Sequence, residues 1–469
     1  MRARRSIVMC LFVAGGVFCA AENVPARQPN IIVIVGDDMG YADLGVHGCQ
    51  DIPTPNLDAL ATGGVRFTNG YVSGPYCSPT RAGLLTGRYQ TRFGHEFNPG
   101  GGESATEKGL PLSETTIADR LKSAGYATGL VGKWHLGNTH EFHPQQRGFD
   151  EFFGFLGGAH PYRAGEGVAI LRGDEPVDEE EYLTDAFARE TVDFVERHRE
   201  SPFFLYLAFN AVHTPMQADD ARLKKFASIA DPKRRTYAAM MSAMDDAIGA
   251  LLAKLEESGL EDNTLVFFIS DNGGPVMNGT SVNGSNNGPL RGSKRTTLEG
   301  GVRVPFFVKW PARIPAGKSY EKPAIQLDFL PTALAAAGVE VLPEWKLDGV
   351  DLLPYINGEN EESPHGSLYW RFGQQTAIRY GDWKLVKYDP VVDGGRGRAT
   401  PAKLYNLADD AGEEHDLFAE NPEKAAALQA VWDEWNKGNV PPKWGDGKGK
   451  RKTKAQGKGK RRAARQGVQ

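Results

Sequence analysis

Carboxylate and amide side chains follow two apolar runs of the chain in a pattern that suits metal binding. Asp37 and Asp38 come directly after IIVIVG, and Asp271 and Asn272 come directly after LVFFIS. Oxygen donors from two loops suit a hard cation, Ca²⁺ or Mg²⁺, rather than Zn²⁺. Either pair alone could equally cap a loop or a helix. The two pairs together predict a metal site, and the amide, which lowers the negative charge, favours a single cation.

Five basic or titratable side chains could meet an anion at the same site. Arginine and lysine bind oxyanions, and histidine moves protons near neutral pH. Any one of them alone is more often a surface or packing residue. Beside a metal ion, however, they describe a site for a tetrahedral oxyanion ester. They are Arg81, Lys133, His135, His213 and Lys294.

Cys77, in the stretch YCSPTRAGLLTG, is a candidate nucleophile. Pro79 favours the first turn of a helix, so Cys77 is predicted at a helix N-terminus, where partial positive charge favours a thiolate. A thiolate is nevertheless a soft ligand beside a hard cation. Cysteine counting also allows a Cys49–Cys77 disulfide or two buried, inert thiols. The residues by themselves leave this conflict open.

Strand-like and helical segments alternate, which predicts an α/β fold with a large, mostly parallel sheet flanked by helices. Helices are predicted over 114–126, over 183–200 with Thr184 or Asp185 as cap, and over 235–259. Ligands of such sheets bind beyond the carboxyl ends of the strands. Four predicted strands end just before candidate residues, namely Asp37, Lys133, His213 and Asp271.

The pattern changes near residue 356. Strand-like alternation with turn signals at Phe372-Gly373 and Gly381-Asp382 precedes one helical segment, NPEKAAALQAVWDEWNKG. This predicts a large domain over 22–355 and a small α+β domain over 356–440, built from an antiparallel sheet and one helix.

The two ends of the chain have distinctive compositions. Basic residues, an apolar run and small residues predict an export signal over 1–21, cleaved after Ala21, although a retained membrane anchor is an alternative. An exported protein would be periplasmic or secreted.

At the other end of the chain, residues 448–469 carry ten Lys and Arg and no acid. Because the formal net charge of the whole chain is −5, the other residues carry a net charge of −15. A disordered basic tail is predicted over 441–469, either simply solvated or contacting polyanions; no specific nucleic-acid partner is expected.

Two motifs resemble the signatures of the type I sulfatases, within the alkaline phosphatase superfamily. CSPTRAGLLTGR, residues 77–88, resembles the signature Cys-x-Pro-x-Arg-x4-Thr-Gly, and GKWHLG, residues 132–137, resembles the second signature. The resemblance extends from about Pro29 to about Leu417. One departure, Asp410-Ala411 in place of a common Asp-Pro, falls in a predicted surface turn away from the candidate site.

The resemblance implies an alkaline-phosphatase-like fold and a formylglycine-dependent mechanism. In that family the cysteine is oxidised to Cα-formylglycine by a formylglycine-generating or anaerobic sulfatase-maturating enzyme, and the aldehyde hydrate is the nucleophile. An oxygen then replaces the soft sulfur. The resemblance assigns Ca²⁺, rather than Mg²⁺, to Asp37, Asp38, Asp271, Asn272 and modified residue 77. It places around the sulfate Arg81, Lys133, His135, His213 and Lys294.

The implied activity is hydrolysis of sulfate monoesters, with aryl sulfates turned over in vitro and carbohydrate sulfates in nature. Asp271 would assist attack, Lys294 and His213 would act at the leaving alcohol, and His135 would accept a proton as sulfate is released. Two alternatives remain: a phosphodiesterase or phosphonate monoester hydrolase on the same fold, and an inactive protein that binds sulfated glycans. Polar loop residues, for sugar contacts or as ordinary loop polarity, are His95, Glu96, Asn98, His160 and Arg163.

Overall fold

A computed structural model describes residues 27–100, 108–163 and 165–445. The predicted export signal over 1–21 and all but the first five residues of the predicted basic tail lie outside the described residues. Within the described ranges, no helix is both long enough and apolar enough to span a membrane.

Sixteen strands are present in the described part of the chain. They are β1 Asn30–Gly36, β2 Val65–Phe67, β3 Gly70–Tyr71, β4 Ala127–Lys133, β5 Glu151–Phe155, β6 Ile170–Arg172, β7 Glu175–Val177, β8 Phe203–Ala208, β9 Thr264–Ser270, β10 Phe306–Lys309, β11 Lys318–Tyr320, β12 Ala324–Ile325, β13 Ser367–Phe372, β14 Gln375–Tyr380, β15 Trp383–Lys387 and β16 Lys403–Asn406.

The α-helices of the described residues connect or cover these strands. They are α1 Pro55–Thr62, α2 Cys77–Thr86, α3 Ile117–Ser123, α4 Leu183–His198, α5 Asp220–Lys225, α6 Pro232–Glu257, α7 Glu299–Val302, α8 Phe329–Ala336, α9 Leu353–Ile356 and α10 Pro422–Asn436.

Ten strands form the central sheet, in the order β11-β2-β10-β9-β1-β8-β4-β5-β6-β7. The run β9-β1-β8-β4-β5 is parallel, and β10 is antiparallel to β9 and β2. A continuous apolar strand such as β1 needs cover on both faces. Its odd residues, including Ile31, pack in the core that contains α2 and α8, whereas Ile32 and Ile34 pack in the core that contains α6. The predicted α/β fold with a mostly parallel sheet is confirmed.

Helix boundaries differ slightly from the predicted ones for local reasons. α3 is shorter than the predicted helix because Thr116 and Asp119 form a capping box at its start and Gly125, with φ +90°, follows its end. α4 begins at Leu183 after Tyr182, so the predicted cap at Thr184 or Asp185 is wrong. α6 begins three residues early because Asp231 accepts hydrogen bonds from the first turn.

The predicted antiparallel sheet near the C-terminus is confirmed as β13-β14-β15-β16, with α10 packed against it. Only one face of this sheet meets α10. The other face contributes Trp370, Val386 and Tyr405 to the same apolar core as α2 and α8. The large and the small sheet therefore share one core, while the proposed boundary at 355/356 stays a prediction.

Candidate active site

The register of the central sheet brings the two acidic pairs together. Gly36 of β1 lies opposite Ser270 of β9, so the residues that follow these strands meet at one edge. Lys133 ends β4 at the same edge, and the loop after β8 carries His213. The predicted convergence at the carboxyl ends of the strands is therefore observed. Asp37, Asp38, Cys77 and His213 each offer one ligand atom within 4.8 Å of the others.

Ion pairs connect the carboxylates to the lysines. Lys133 Nζ lies 2.5 Å from Asp37 Oδ2, and Lys294 Nζ lies 2.6 Å from Asp38 Oδ1. All four side chains are buried. Burial alone would raise the pKa of Asp37, but Lys133 and then His213 and Arg81 hold it below its usual value. Burial opposes the charge of Lys294 as well, yet Asp38 raises its pKa well above normal.

Helix α2 fixes Cys77 and Arg81 with respect to each other, because they lie one turn apart. Arg81 donates from Nε and Nη2 to Asp271 Oδ2 at 3.0 and 2.9 Å, and from Nη1 to the Lys133 carbonyl at 3.2 Å. The Ser78 hydroxyl donates to the His135 carbonyl at 2.7 Å. The helix that presents Cys77 is thus hydrogen-bonded to two of the four strand-end segments that carry site residues, those after β4 and β9.

Cys77 begins α2, as predicted, and is only 1 % exposed. Its sulfur lies 3.7 Å from Asp37 Oδ1. Burial first, and then the charge of Asp271, raise the pKa of the thiol far above its ordinary value. Burial and Asp271 thus oppose the thiolate that the helix N-terminus would favour. The disulfide alternative is wrong, since Cys49 and Cys77 are both free and Cys49 Sγ contacts Asp51 at 3.2 Å.

The donor set fits a hard cation. Asn272 donates from Nδ2 to Asp38 Oδ1 at 2.7 Å, while its Oδ1 is buried and has no hydrogen-bond partner among the described residues. A buried amide oxygen without a partner costs free energy that a cation could recover. Asp37 and Asp38 lie in the same cluster, and Asp271 Oδ1 accepts from the Asp38 amide at 3.3 Å, so these three carboxylates would supply the remaining oxygens. The arginine and the two lysines of the site already balance the negative charge of these three carboxylates. A bound divalent cation would therefore add net positive charge, which an anionic ester would offset.

The two histidines differ in their surroundings. His213 Nε2 lies 3.5 Å from Asp38 Oδ2, its Nδ1 lies 2.6 Å from the Thr214 carbonyl, and the side chain is 13 % exposed. His135 is buried, with φ +60° and with no partner for Nδ1 in the described part of the chain. Burial first, and then Lys133 and Arg81, lower its pKa well below the usual value. This shift favours the neutral form of His135, which is the form that can accept a proton.

Sequence reasoning missed the residue that ties the metal loop to the His213 loop. Asn283 is fully buried and donates from Nδ2 to the carbonyls of Asp38 and Val212, at 3.1 and 3.0 Å. It lies in the stretch NGTSVNGSNNG, where several polar residues look equivalent. No pattern in that stretch singles out Asn283.

The small sheet holds the loop that carries Lys294. Gln375 of β14 donates from Nε2 to the Arg295 carbonyl at 2.9 Å, and its Oε1 accepts from the Thr297 amide at 3.4 Å. Glu413 accepts from the Glu299 amide at 2.6 Å, at the start of α7. Two residues from the C-terminal part of the chain, which sequence reasoning did not select, thus hold the backbone just after Lys294.

Glu413 should make stability depend on pH. It shares Lys384 with Glu299, at 3.0 and 2.7 Å. Burial, and then the charge of Glu299, raise its pKa from an ordinary 4.5 to about 7, although Lys384 opposes this. A folded-state pKa above the unfolded value gives stability that is present below pH 4.5 and lost as pH rises through about 7.

We therefore expect the urea midpoint of the wild-type protein to fall between pH 5 and 7 by more than that of Glu413→Gln, which cannot ionise. Glu299 titrates lower, since Lys384 holds its pKa near 2 against burial, and so does not contribute in this range. Parallel pH profiles for the two proteins would contradict the assignment.

The predicted rim residues are mostly structural. His95 is buried, with Nε2 2.6 Å from the Ser78 hydroxyl, and Glu96 is buried against Arg371 at 2.8 Å. Asn98 accepts from the Ser78 amide at 3.0 Å. His160 is buried between two backbone carbonyls. Sugar contacts are therefore wrong for His95, which supports the segment around Cys77, and for Glu96, which pairs with Arg371.

The parallel sheet and its buried edge of paired acids and bases define a hydrolase with the alkaline-phosphatase-like fold. The sulfatase family model matches residues 29–339, and a second model, N-sulphoglucosamine sulphohydrolase, C-terminal, matches residues 292–437. The chain belongs to the sulfatase family, and its activity is that of a sulfuric ester hydrolase.

Similar proteins cover most of the chain. N-acetylgalactosamine-6-sulfatase of Homo sapiens is 38% identical over 386 residues, 78% of this chain and 72% of the relative. Arylsulfatase A of Bos taurus is 36% identical over 464 residues, 88% of each. The crystal structure of Ps i-CgsB superposes with a TM-score of 0.82 at 37% identity, covering 94% of this chain and 98% of that one.

Proposed function

We propose that this sulfatase hydrolyses sulfate monoesters of saccharides, using formylglycine at position 77 and one Ca²⁺ ion. The observation that carries the proposal is Cys77 itself: a buried, unpaired cysteine at the start of α2, 3.7 Å from Asp37, where burial raises the pKa of the thiol. A thiol in that state is a poor nucleophile and a poor ligand for a hard cation. Conversion to an aldehyde hydrate removes both problems.

Saccharide esters are proposed as the natural substrates because of what related proteins act on or bind. One relative is an N-acetylgalactosamine-6-sulfatase, and the neighbour Ps i-CgsB was solved in complex with k-i-k-neocarrahexaose. Both share more than a third of their aligned residues with this chain. Aryl sulfates are proposed as substrates in vitro.

The two groups that the family implies would supply separate parts of the chemistry. The formylglycine hydrate offers an oxygen nucleophile and a second hydroxyl whose deprotonation restores the aldehyde, and Ca²⁺ withdraws charge from sulfate oxygens. Asp37, Asp38, Asp271 and Asn272 would hold the cation. Arg81, with a fixed guanidinium one turn from residue 77, and the Lys133 ammonium would orient the sulfate oxygens.

Proton transfer would be carried out by three side chains of the site, those of His213, Lys294 and His135. Lys294 and His213 both contact Asp38 and would stabilise or protonate the leaving alcohol, His213 from Nε2. His135, neutral and with Nδ1 unpartnered within the described residues, would accept the later proton.

His213→Ala should discriminate between leaving groups. A good aryl leaving group departs without a proton, whereas a sugar alcohol needs one. We expect a loss of about 10²–10⁴-fold on a sugar sulfate and a much smaller loss on 4-nitrophenyl sulfate. His135→Ala is the matched variant: because its proton transfer follows departure of the alcohol, both substrates should slow equally, with a pre-steady-state burst of 4-nitrophenol. Equal losses in both variants and no burst would refute this division of roles.

Direct rate comparison tests the proposed reaction. The rival reaction is hydrolysis of phosphodiesters or phosphonate monoesters, and a phosphonate monoester hydrolase of Agrobacterium radiobacter shares the fold at 20% identity and a TM-score of 0.61. We expect kcat/KM on 4-nitrophenyl sulfate to exceed that on bis(4-nitrophenyl) phosphate. The reverse order would favour the rival, and turnover of neither by protein carrying the aldehyde would favour a glycan-binding role.

Export and maturation complete the proposal. The composition of residues 1–21 supports cleavage of a signal after Ala21 and a periplasmic or secreted location, and the motif around Cys77 supports modification by one of the two sulfatase-maturating systems. The N-terminal sequence of protein recovered from the producing cells would check the cleavage site. A mature N-terminus that still contains Met1 would contradict it.

A further inference from the structure

Arg295, the residue after Lys294, has an unusual backbone conformation. Its φ is +72°, in the left-handed region that long side chains rarely adopt. Two main-chain groups hold it there: the Arg295 amide donates to the Pro75 carbonyl at 2.7 Å, and the Arg295 carbonyl accepts from Gln375 Nε2 at 2.9 Å. Residues in such conformations cluster at functional sites, where the surrounding structure bears the cost. The start of the Arg295 side chain is thus fixed between the segment before Cys77 and the small sheet.

The guanidinium of Arg295 lies at the ring of Tyr76, which directly precedes Cys77. The central carbon of the guanidinium is 5.9 Å from the centroid of that ring, and Lys294 Nζ is 5.5 Å from the same centroid. Consecutive side chains of an extended chain point to opposite sides. Here, by contrast, two consecutive cationic side chains meet at one aromatic ring beside the candidate nucleophile.

Arg295 differs from the other cations of the site in being accessible and unpaired. Its side chain is exposed and Tyr76 is half-buried, whereas Lys294 is buried and pairs with Asp38. Within the described residues, Arg295 has no carboxylate partner, and its guanidinium makes one long hydrogen bond, from Nη1 to the Gly279 carbonyl at 3.4 Å. A guanidinium in this state keeps its paired N–H donors available for an oxyanion.

The leaving alcohol brings the saccharide to this side of the site. In the proposed function, Lys294 and His213 act at the leaving oxygen, so the sugar extends from the ester sulfate past Lys294. Tyr76 adjoins Lys294 there and offers an apolar ring to the sugar. Arg295, at the same ring, offers an accessible positive charge.

We propose that Arg295, with its guanidinium at the Tyr76 ring, binds a second anionic group on the saccharide whose sulfate ester is hydrolysed. The inference deepens the proposed function, on which it rests, because it narrows the substrate class to saccharides with at least two anionic groups. The second group is a sulfate or a carboxylate, since both present two oxygens to the fork of a guanidinium. The substrate is then held at two points, the ester sulfate near Cys77 and the second anion at Arg295.

Competitive inhibition tests this recognition without requiring that each sugar be hydrolysed. The readout is hydrolysis of 4-nitrophenyl sulfate by protein that carries the aldehyde. One inhibitor is monoanionic, N-acetylgalactosamine 6-sulfate. Two are dianionic: N-acetylgalactosamine 4,6-disulfate and the chondroitin disaccharide with one uronate and one 6-sulfate. For the wild type, at least one dianionic sugar should have an inhibition constant about 10-fold or more below that of the monosulfate, as charge-assisted hydrogen bonds allow.

Arg295→Gln should bring the two inhibition constants to within about 2-fold of each other, since the fork and its charge are removed. The hydrogen bonds that fix the backbone at this position are made by main-chain atoms, so the variant keeps them. Arg313→Gln is the matched control. Arg313 is also exposed, with its guanidinium 6.0 Å from the Trp310 ring, and the adjacent Ala312 amide bonds the Asp262 carbonyl at the opposite end of β9 from the site. This variant should keep the wild-type preference.

The outcomes separate the two proposals. If no protein hydrolyses 4-nitrophenyl sulfate, the proposed function fails, and the inference fails with it. If hydrolysis is normal but the wild type does not prefer either dianionic sugar, only the role of Arg295 fails. Equal loss of preference in Arg295→Gln and Arg313→Gln would indicate long-range attraction and would also overturn it. Preference for the disulfate alone would identify the second anion as sulfate, and preference for the disaccharide alone would identify it as carboxylate.

Discussion

Replacing Cys77 by alanine is expected to lower turnover of 4-nitrophenyl sulfate by more than about 10⁴-fold, because removal of a covalent nucleophile leaves only binding and electrostatic assistance. The fold should tolerate the change, because the side chain is small and its polar contact within the described residues is a 3.7 Å approach to Asp37. Circular dichroism and the urea midpoint measure the fold, and initial rates measure the loss.

Cys49→Ala is the matched control, because Cys49 is half-buried and its sulfur contacts Asp51 and Arg234 rather than a residue of the site. Its activity should equal that of the wild type. Peptide mass spectrometry of active wild-type protein should show an aldehyde at position 77. Active protein with a thiol there, or a Cys77→Ala variant with normal turnover, would rule out the proposed nucleophile.

Asp38→Asn should remove bound metal and activity together. The change keeps the shape of the side chain but replaces an anionic oxygen that contacts Lys294 and Asn272. A metal that polarises the reacting group supplies several kcal/mol, so we expect a loss of about 10³-fold or more. Elemental analysis should show one divalent cation, Ca²⁺, per wild-type chain and none per variant chain.

Asp51→Asn provides the comparison for the metal experiment. Asp51 is partly exposed and pairs with Arg234 away from the site, so this variant should keep both metal and turnover. Two zinc ions per wild-type chain would contradict a single hard cation. Full metal occupancy in Asp38→Asn would remove Asp38 from the ligand set.

The convergence of the site could be predicted from sequence because its signal is local. A buried parallel strand is an uninterrupted apolar run, and the polar pair that follows it marks the carboxyl end. Asp37 and Asp271 carry that signal, and the register of β1 and β9 then places them together. The motif around Cys77 likewise fixes Arg81, since one helix holds both.

The supporting residues could not be predicted because their partners are distant in sequence. Glu413 meets Glu299 across 114 positions, and Gln375 meets Arg295 across 80. Polar loop residues of this kind look alike until packing decides which of them is buried. The same uncertainty explains His95 and Glu96, whose polarity suggested sugar contacts although both side chains are buried.

The shared core beneath the two sheets makes the chain an indivisible unit. All the proposed site residues precede β10, yet the loop bearing Lys294 is held by β14 and by Glu413. A fragment that ended at residue 355 would contain all the proposed site residues but would lack the contacts that position the loop bearing Lys294. We therefore expect the chain to unfold cooperatively in a single transition. Substitutions that break these C-terminal contacts should lower activity by displacing Lys294, although they lie far from the site in sequence.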